Sequence, residues 1–226
     1  MSETFSRKAL DLILRNEGLD EGGWPGGHSG VTIGRGYDLG YNTKEEFAKD
    51  WGGLLTPEMM EILSACCGFT GDDARKLTAQ LRGKIIIPRD AADKVFFSTS
   101  IPKFVAQTKA AFPGVETLPD DAQGALVSLV FNRGVRMKDL MPSMKERLEM
   151  RRIRAAVGDY AAGVRGEPWV NPPIPTLYFT LIFIAKQLRS MKRLWEGKKL
   201  DGLVARREEE AQLVESAIPA AAGAQA

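Results

Sequence analysis

The apolar positions of the chain recur mainly at helical spacing, and one short segment has the alternation of a strand. Near the N-terminus, Phe5, Ala9 and Leu12 recur at intervals of three to four residues. This spacing predicts a first helix that ends near Glu17, because Gly18 follows and glycine is a common helix terminator.

The composition changes sharply after the first helix. Nine of the 23 residues from 18 to 40 are glycine, a density typical of turns and close backbone approaches. Within this segment the β-prone residues 31–33 and 37–39 flank Gly34-Arg35-Gly36. The pattern predicts a small β-hairpin whose turn is centred on Arg35.

After Tyr41 the pattern is helical throughout. Thr43 with Glu46 three residues later is typical of a capping box, and Thr56 before Pro57 is typical of a helix start. Thr70 with Asp73 resembles a second capping box. Further helices are predicted at 89–111 with a break near Pro102, from about 119 to 134, and at 140–149, 151–162, 176–195 and 202–216.

Composition and charge restrict the class of protein. The 226 residues are 44% apolar and 27% charged, which excludes a mostly disordered, collagenous or coiled-coil chain. The net charge is +2, yet residues 133–199 contain 15 Lys or Arg and 6 Asp or Glu, a local excess of +9. Such a stretch suits an anionic partner such as nucleic acid, a membrane surface or an acidic wall polymer, and it suits a solvated helical face equally well.

Several kinds of site and segment are not expected. Cys66 and Cys67 are adjacent and so do not form a structural disulfide, and with His28 they do not supply the ligands of a zinc site. The longest apolar run, residues 177–185, is half of a membrane span and predicts a core helix. The N-terminus has no signal-peptide pattern, so we expect a chain made in the cytoplasm.

The chemistry-bearing residues cluster at the first helix and the hairpin. Thr32 and Asp38 each lie three residues from Arg35, so they are expected to face each other across the hairpin and to hold one water molecule between them. Glu17 precedes the same segment. Two carboxyl groups, one donating a proton and one activating water, are what hydrolysis of a glycosidic bond requires. Asp20 and Glu21 are competing carboxylates in the same loop, and a β-bulge would change the pairing.

Three blocks of sequence carry a family resemblance. Glu17 with residues 30–40 (GVTIGRGYDLG), residues 125–134 (ALVSLVFNRG) and residues 202–211 (GLVARREEEA) resemble the phage-type lysozymes, the muramidases of glycoside hydrolase family 24. The resemblance implies cleavage of the β-1,4 bond between N-acetylmuramic acid and N-acetylglucosamine in peptidoglycan. It also implies a mostly helical, two-lobed α+β fold with a small hairpin at the active site, and no metal or cofactor.

The match departs from the common phage pattern at one position. In that pattern the catalytic Asp lies six residues before the Thr, and Gly26 stands there in this chain. Pesticin-like relatives carry the Asp six residues after the Thr, which corresponds to Asp38. The resemblance therefore implies Glu17 as general acid, Asp38 as general base and Thr32 as the residue that positions water.

By the same resemblance Asn132 and Arg207 are expected to bind substrate, Arg207 being on a motif that packs near the catalytic Glu. The expected lobes are residues 1–115 and 116–218, followed by a frayed tail at 219–226.

The expected partner is bacterial peptidoglycan, bound by a monomer that neither inserts stably into membranes nor binds nucleic acid, and that reaches the wall by a separate release pathway. Two other readings remain. A lytic transglycosylase needs Glu17 but has no use for a water-holding pair such as Thr32 and Asp38. A non-catalytic peptidoglycan-binding protein needs neither.

Overall fold

The computed structural model describes residues 6–81, 83–134, 148–166 and 177–219. Over these ranges the chain is mostly helical, with one three-stranded antiparallel sheet in the order β1-β2-β3. The strands are β1 (Asp20–Gly23), β2 (Thr32–Gly34) and β3 (Tyr37–Asp38). The helices are α1 (Arg7–Asn16), α2 (Lys44–Trp51), α3 (Pro57–Ser64), α4 (Gly71–Leu81), α5 (Arg89–Val95), α6 (Ile101–Ala111), α7 (Asp120–Arg133), α8 (Leu148–Val164), α9 (Leu177–Ser190) and α10 (Asp201–Ser216).

The chain forms two compact units, and the boundaries differ from the predicted lobes at residues 1–115 and 116–218. Unit 1 comprises Met1–Asn16 and Phe104–Ala226, and unit 2 comprises Glu17–Lys103. The reason is the first helix: Ala9 and Leu12 of α1 are buried in the apolar core of unit 1 rather than that of unit 2.

Unit 1 is a helical body built around α7. Nine of the 14 residues of α7 are buried, all of them between Ala122 and Phe131. A helix that is apolar on every side is stable only when other helices surround it, and α1 and α10 both pack on α7. Helix α9 packs in turn between α8 and α10.

Unit 2 contains the sheet and helices α2 to α5 around a second apolar core. Trp51 at the end of α2 is fully buried there, and the Tyr37 ring meets it edge-on at a centroid distance of 5.7 Å. Gly34 has φ +60°, and a Cβ at this position would lie 2.7 Å from the Trp51 ring. Glycine therefore lets the hairpin turn lie directly on the core.

Several predicted elements are confirmed. The hairpin forms with its turn at Arg35. The Thr43 side chain accepts from the Glu46 amide in a capping box, and Thr56 caps α3 with Pro57 at its first position. Helix α10 spans the predicted segment within one residue.

Other boundaries differ in detail. The break predicted near Pro102 is a π-helical turn, Phe96–Ser100, which ends two residues before the proline. The amide of Ile101 bonds back to the carbonyl of Phe96 there, and the wide turn ends just before the proline that cannot donate. Helix α8 runs without a break through the predicted boundary near residue 150, and the rest of the predicted helix 140–149 lies outside the described residues, as does most of the predicted tail.

The segment after α9 tightens into a 3-10 turn, Met191–Leu194, instead of continuing as α-helix to residue 195. None of the helices in the described ranges is long and apolar enough to cross a membrane.

Candidate active site

The hairpin places Thr32 and Asp38 opposite one another. Their Cα atoms are partners in the antiparallel pairing of β2 with β3, as the spacing around Arg35 predicts. Directly paired residues of an antiparallel sheet project from the same face with Cβ atoms about 5 Å apart. The turn is fixed from outside by an ion pair between Arg35 and Asp93 of α5.

The Asp38 carboxylate is held by two backbone amides. Gly30 N–H donates to both carboxylate oxygens at 3.0 and 3.1 Å, and Gly40 N–H donates to Oδ1 at 2.8 Å. The bond from Gly40 N–H also caps the 3-10 turn that follows β3. Three charge-assisted bonds fix the direction of the carboxylate and leave lone pairs for a further donor such as water.

Gly30 makes this arrangement possible. A Cβ on Gly30 would lie 2.3 Å from Asp38 Oδ1 and 2.3 Å from the Gly40 amide nitrogen. No side chain fits in that space, so only glycine allows the two amides to approach the carboxylate together.

The surroundings of Asp38 act on its ionisation in two directions. Burial raises the pKa of Asp38 above its ordinary value of 3.8, and the hydrogen bonds from Gly30 and Gly40 oppose the rise. Hydrogen bonds to a carboxylate favour its charged form, the form that a general base must have.

Thr32 is almost completely buried, with 4% of its surface exposed. Its hydroxyl makes no hydrogen bond to any residue in the described part of the chain. A hydroxyl that faces a carboxylate and has capacity for both donation and acceptance is suited to orienting a small polar molecule.

Glu17 follows the last residue of α1 and is half-buried at the entry to unit 2. Its carboxylate interacts electrostatically with Asp20 at the start of β1. Burial raises the pKa of Asp20 above its ordinary value, and the Glu17 carboxylate raises it further. Glu17 and Asp20 thus form a pair of interacting carboxyl groups.

The register of the sheet separates the two candidate bases. Asp20 pairs with Gly34, and Thr32 lies two residues from Gly34 on β2, so Asp20 and Asp38 project from one face. They stand on the two outer strands at opposite ends, with Cα atoms ~12 Å apart by ordinary strand spacings. Asp20 and Asp38 are therefore separate positions on one face of the sheet, and only Asp38 is paired with Thr32.

Strand β1 was not predicted. The glycine density of residues 18–30 predicts turns, and Asp-Glu-Gly-Gly has almost no β propensity. Pairing with β2 imposes the strand, and a bulge at Gly22, with φ +87°, accommodates the glycines.

In unit 1 the structure brings Asn132 and Arg207 together. The Arg207 guanidinium donates hydrogen bonds to Asn132 Oδ1 at 3.1 Å and to Glu210 Oε1 at 2.8 Å. The ring of Trp195 covers the guanidinium at 5.7 Å. Asn132 itself is half-buried at the end of α7.

The side chain of Arg207 has no exposed surface. The expected direct contact between Arg207 and a substrate therefore does not fit the structure. Burial lowers the pKa of Arg207, and the charge of Glu210 opposes that effect. Arg207 instead orients Asn132.

One charged member of this buried cluster, Glu210, was missed. Glu210 is fully buried and accepts from the Ser128 hydroxyl at 2.7 Å, and Arg206 bonds to the same hydroxyl at 3.2 Å. The available signal was the spacing on α10, because Glu210 is three residues after Arg207 and four after Arg206 and so lies on their face of the helix.

The basic stretch is partly neutralised within unit 1. Arg189 and Lys192 both bind the carboxylate of Glu208, and Arg193 binds Glu149 at 2.6 Å. These three cations contribute less to a long-range positive field than the count of residues suggests.

Comparison with known proteins gives one family match. Residues 21–108 match a domain of unknown function, DUF8812. The match covers less than half of the chain and nearly coincides with unit 2. It includes Thr32 and Asp38 and excludes Glu17, Asn132 and Arg207. A search of curated proteins finds no match.

Proposed function

We propose that this protein is a peptidoglycan hydrolase of the phage-type lysozyme kind. It cleaves the β-1,4 bond between N-acetylmuramic acid and N-acetylglucosamine without a metal or cofactor and so lyses the bacterial wall. The fold implied by this function is the two-lobed lysozyme fold, with unit 2 as the lobe that contains the sheet and unit 1 as the helical lobe.

The observation that carries the proposal is the pairing of Thr32 with Asp38. The carboxylate is aimed by backbone amides, and the hydroxyl opposite it makes no bond to another described residue. A water molecule between these groups donates one proton to Asp38 and is oriented by Thr32. This is the geometry of a general base that activates water.

Glu17 supplies the proton for the leaving group in this mechanism. The acid protonates the glycosidic oxygen as the bond breaks, while Asp38 removes a proton from the attacking water. The charge on the sugar ring develops between the two groups, and each carboxyl ends the reaction in the protonation state opposite to its starting one. A proton transfer from bulk solvent restores both.

In unit 1, Asn132 is the residue proposed to bind sugar. The Arg207 guanidinium fixes its side-chain oxygen, so the Asn132 amide nitrogen is the group that turns away from the cluster and can donate to an acetamido or hydroxyl oxygen. Arg207 acts in this proposal as a positioning residue.

The test is mass spectrometry of the muropeptides released from purified walls by the wild type and by Glu17→Gln and Asp38→Asn. The wild type is expected to release fragments with reducing ends, and both variants to lose at least about 100-fold in rate, since general acid or base catalysis contributes ~10²–10⁴-fold. Glu61→Gln, an exposed position on α3, is the matched control and should behave as wild type. A Glu17→Gln variant with more than about a tenth of the wild-type rate contradicts the assignment.

A lytic transglycosylase is the second candidate, and one observation favours it. Asp38 caps a turn and accepts bonds from Gly30 and Gly40, which is also what a purely structural aspartate does. A transglycosylase needs only the acid, and the sugar's own hydroxyl closes a ring in place of water. Its products carry anhydro-muramic ends, lighter by one water, so the same spectra separate the two reactions.

A further inference from the structure

A groove lies between strand β1 and helix α4, within unit 2. Its volume is about 630 Å³, within the usual range for pockets that hold small molecules or short peptides. The residues that line it are Glu21, Gly22, Gly23, Trp24, Arg75, Thr78, Ala79, Gly83 and Ile85.

This groove is separate from the candidate active site. Glu17, Asp20, Thr32 and Asp38 do not line it. Glu21 pairs with Ile33, so its side chain leaves the sheet on the face opposite Asp20. All of the lining residues belong to the stretch that matches the domain of unknown function.

The backbone of β1 forms one side of the groove. Gly22 has φ +87°, and a Cβ at this position would lie 3.3 Å from the Leu81 side chain. The glycine therefore allows the strand to approach α4 closely. Strand β1 is an edge strand of the sheet, so no further strand covers this side. On α4 the groove is lined by Ala79, whose side chain is small.

The groove contains two charges of opposite sign that do not neutralise each other. Glu21 on β1 and Arg75 on α4 are both exposed. Within the described ranges neither forms a hydrogen bond or an ion pair, so their charged atoms are more than 4 Å apart. Charges of this kind are available to a ligand that carries both signs.

The apolar part of the groove is preformed. The Trp24 indole N–H donates to the Ser29 carbonyl at 3.1 Å, which fixes the ring, and Ile85 is almost completely buried. A ring held in this way offers a flat apolar surface at little entropic cost.

We propose that this groove binds a short peptide that carries a free carboxylate and a free ammonium group. The carboxylate of the peptide pairs with Arg75, the ammonium pairs with Glu21, and the aliphatic part lies on Trp24 and Ile85. The source of the peptide rests on the proposed function: in peptidoglycan this chemistry belongs to the stem peptides, so the groove holds the stem of a glycan strand. A neutral oligosaccharide matches the groove less well, because it leaves both charges without a counter-charge.

The experiment measures binding of the synthetic tetrapeptide L-Ala-γ-D-Glu-meso-diaminopimelyl-D-Ala to the full chain by isothermal titration calorimetry. Arg75→Ala and Glu21→Gln are each expected to weaken binding by about three- to tenfold, as for a charge-assisted contact at a partly exposed site. Lys76→Ala is the matched control, because Lys76 is the next residue of α4, pairs with Asp73 and does not line the groove. Its affinity should equal that of the wild type.

A second variant and a second ligand complete the test. Ala79→Trp fills the groove without removing a charge and is expected to abolish binding. A tetrapeptide acetylated at both the L-Ala and the diaminopimelyl amino groups, which carries no ammonium, should bind at least threefold more weakly than the charged form. Equal affinity of Arg75→Ala and Lys76→Ala overturns the proposal, as does tighter binding of chitotetraose than of the peptide, or no peptide binding at ~5 mM.

Direct binding keeps this outcome separate from that of the proposed function. A chain that binds the peptide but releases no muropeptides refutes the hydrolase and leaves the groove assignment standing. A chain that lyses walls but does not bind the peptide refutes only the groove assignment.

Discussion

Thr32 and Asp38 face each other across β2 and β3, and their side chains differ in what holds them. The carboxylate accepts three bonds from backbone amides, whereas the hydroxyl makes none to a described residue. Because the amides can bond to a similar side chain at position 38, the carboxylate or the hydroxyl can be replaced without moving the backbone.

Asp38→Asn should remove activity with little loss of stability. Asn Oδ1 can accept from both Gly30 and Gly40 as Asp38 Oδ1 does, but the amide cannot take a proton from water. We expect the rate of wall lysis to fall at least about 100-fold and the unfolding temperature to change by only a few degrees. Turbidity of outer-membrane-permeabilised cells and a thermal melt measure the two effects. If Asp20→Asn is inactive and Asp38→Asn is not, Asp20 is the base.

Gly30→Ala should inactivate the protein through the backbone. The added Cβ would lie 2.3 Å from Asp38 Oδ1, so the carboxylate must move and lose its bonds to the amides. We expect loss of lysis together with a destabilisation of about 2–4 kcal/mol, typical of a buried clash with lost hydrogen bonds. Gly158→Ala, in the interior of α8 with no atom near its Cβ, is the control and should raise stability by about 0.5–1 kcal/mol. If Gly30→Ala and Gly158→Ala have the same unfolding temperature and the same rate of lysis, the close approach of Gly30 to Asp38 is not needed for either property.

Asp20→Asn should stabilise the protein at neutral pH. Burial and the charge of Glu17 raise the folded-state pKa of Asp20 above its ordinary 3.8, so its ionisation costs stability once the pH rises through that folded-state pKa. An uncharged Asn avoids this cost. The unfolding temperature should rise by about 1–3 °C at neutral pH, and the difference should disappear below about pH 3.8, where Asp20 is protonated in both states. A gain that persists undiminished in acid would show that the carboxylate charge is not its cause.

Glu210→Gln should strongly destabilise unit 1. Glu210 is fully buried against Arg206 and Arg207, and loss of its charge leaves buried guanidinium groups without their counter-charge. Breaking a buried pair in this way costs about 3–5 kcal/mol, or roughly 10 °C in a chain of this length. Glu209→Gln is the control, because Glu209 is the preceding residue, is partly exposed and pairs with Arg15 at 3.6 Å. Its effect should stay within about 0.5 kcal/mol. If Glu210→Gln and Glu209→Gln have similar unfolding temperatures, the buried pairs of Glu210 with Arg206 and Arg207 do not stabilise α10.

The parts of the site that follow local rules could be predicted from the sequence. The symmetric placement of Thr32 and Asp38 about Arg35 determines their pairing, because the side-chain period of a strand is two residues. Strand β1 could not be predicted, since its glycines and acids take a strand conformation only by pairing with β2. The burial of Arg207 is a tertiary property as well, because Trp195 and Asn132, which contact its guanidinium, lie outside α10. The groove between β1 and α4 could not be predicted either, because it requires strand β1 and the packing of that strand beside α4.

The stereochemistry of the product is the most direct test of the water-holding pair. Thr32 opposite Asp38 has a purpose if the carboxylate holds water, and none if it attacks the sugar itself. Holding water requires the acid and base carboxyl groups to stand ~6.5–9.5 Å apart in the complex, rather than the ~5–5.5 Å of a nucleophile arrangement. Water then attacks from the face opposite the leaving group, and the β-linked substrate yields an α-anomeric product. Proton NMR of the anomeric signal in the first minutes, before mutarotation, reads the outcome, and Thr32→Val should slow formation of the α-anomer by about tenfold without altering its configuration. An initial β-anomer, or a sugar covalently trapped on Asp38, would show retention and would remove the roles proposed for both Asp38 and Thr32.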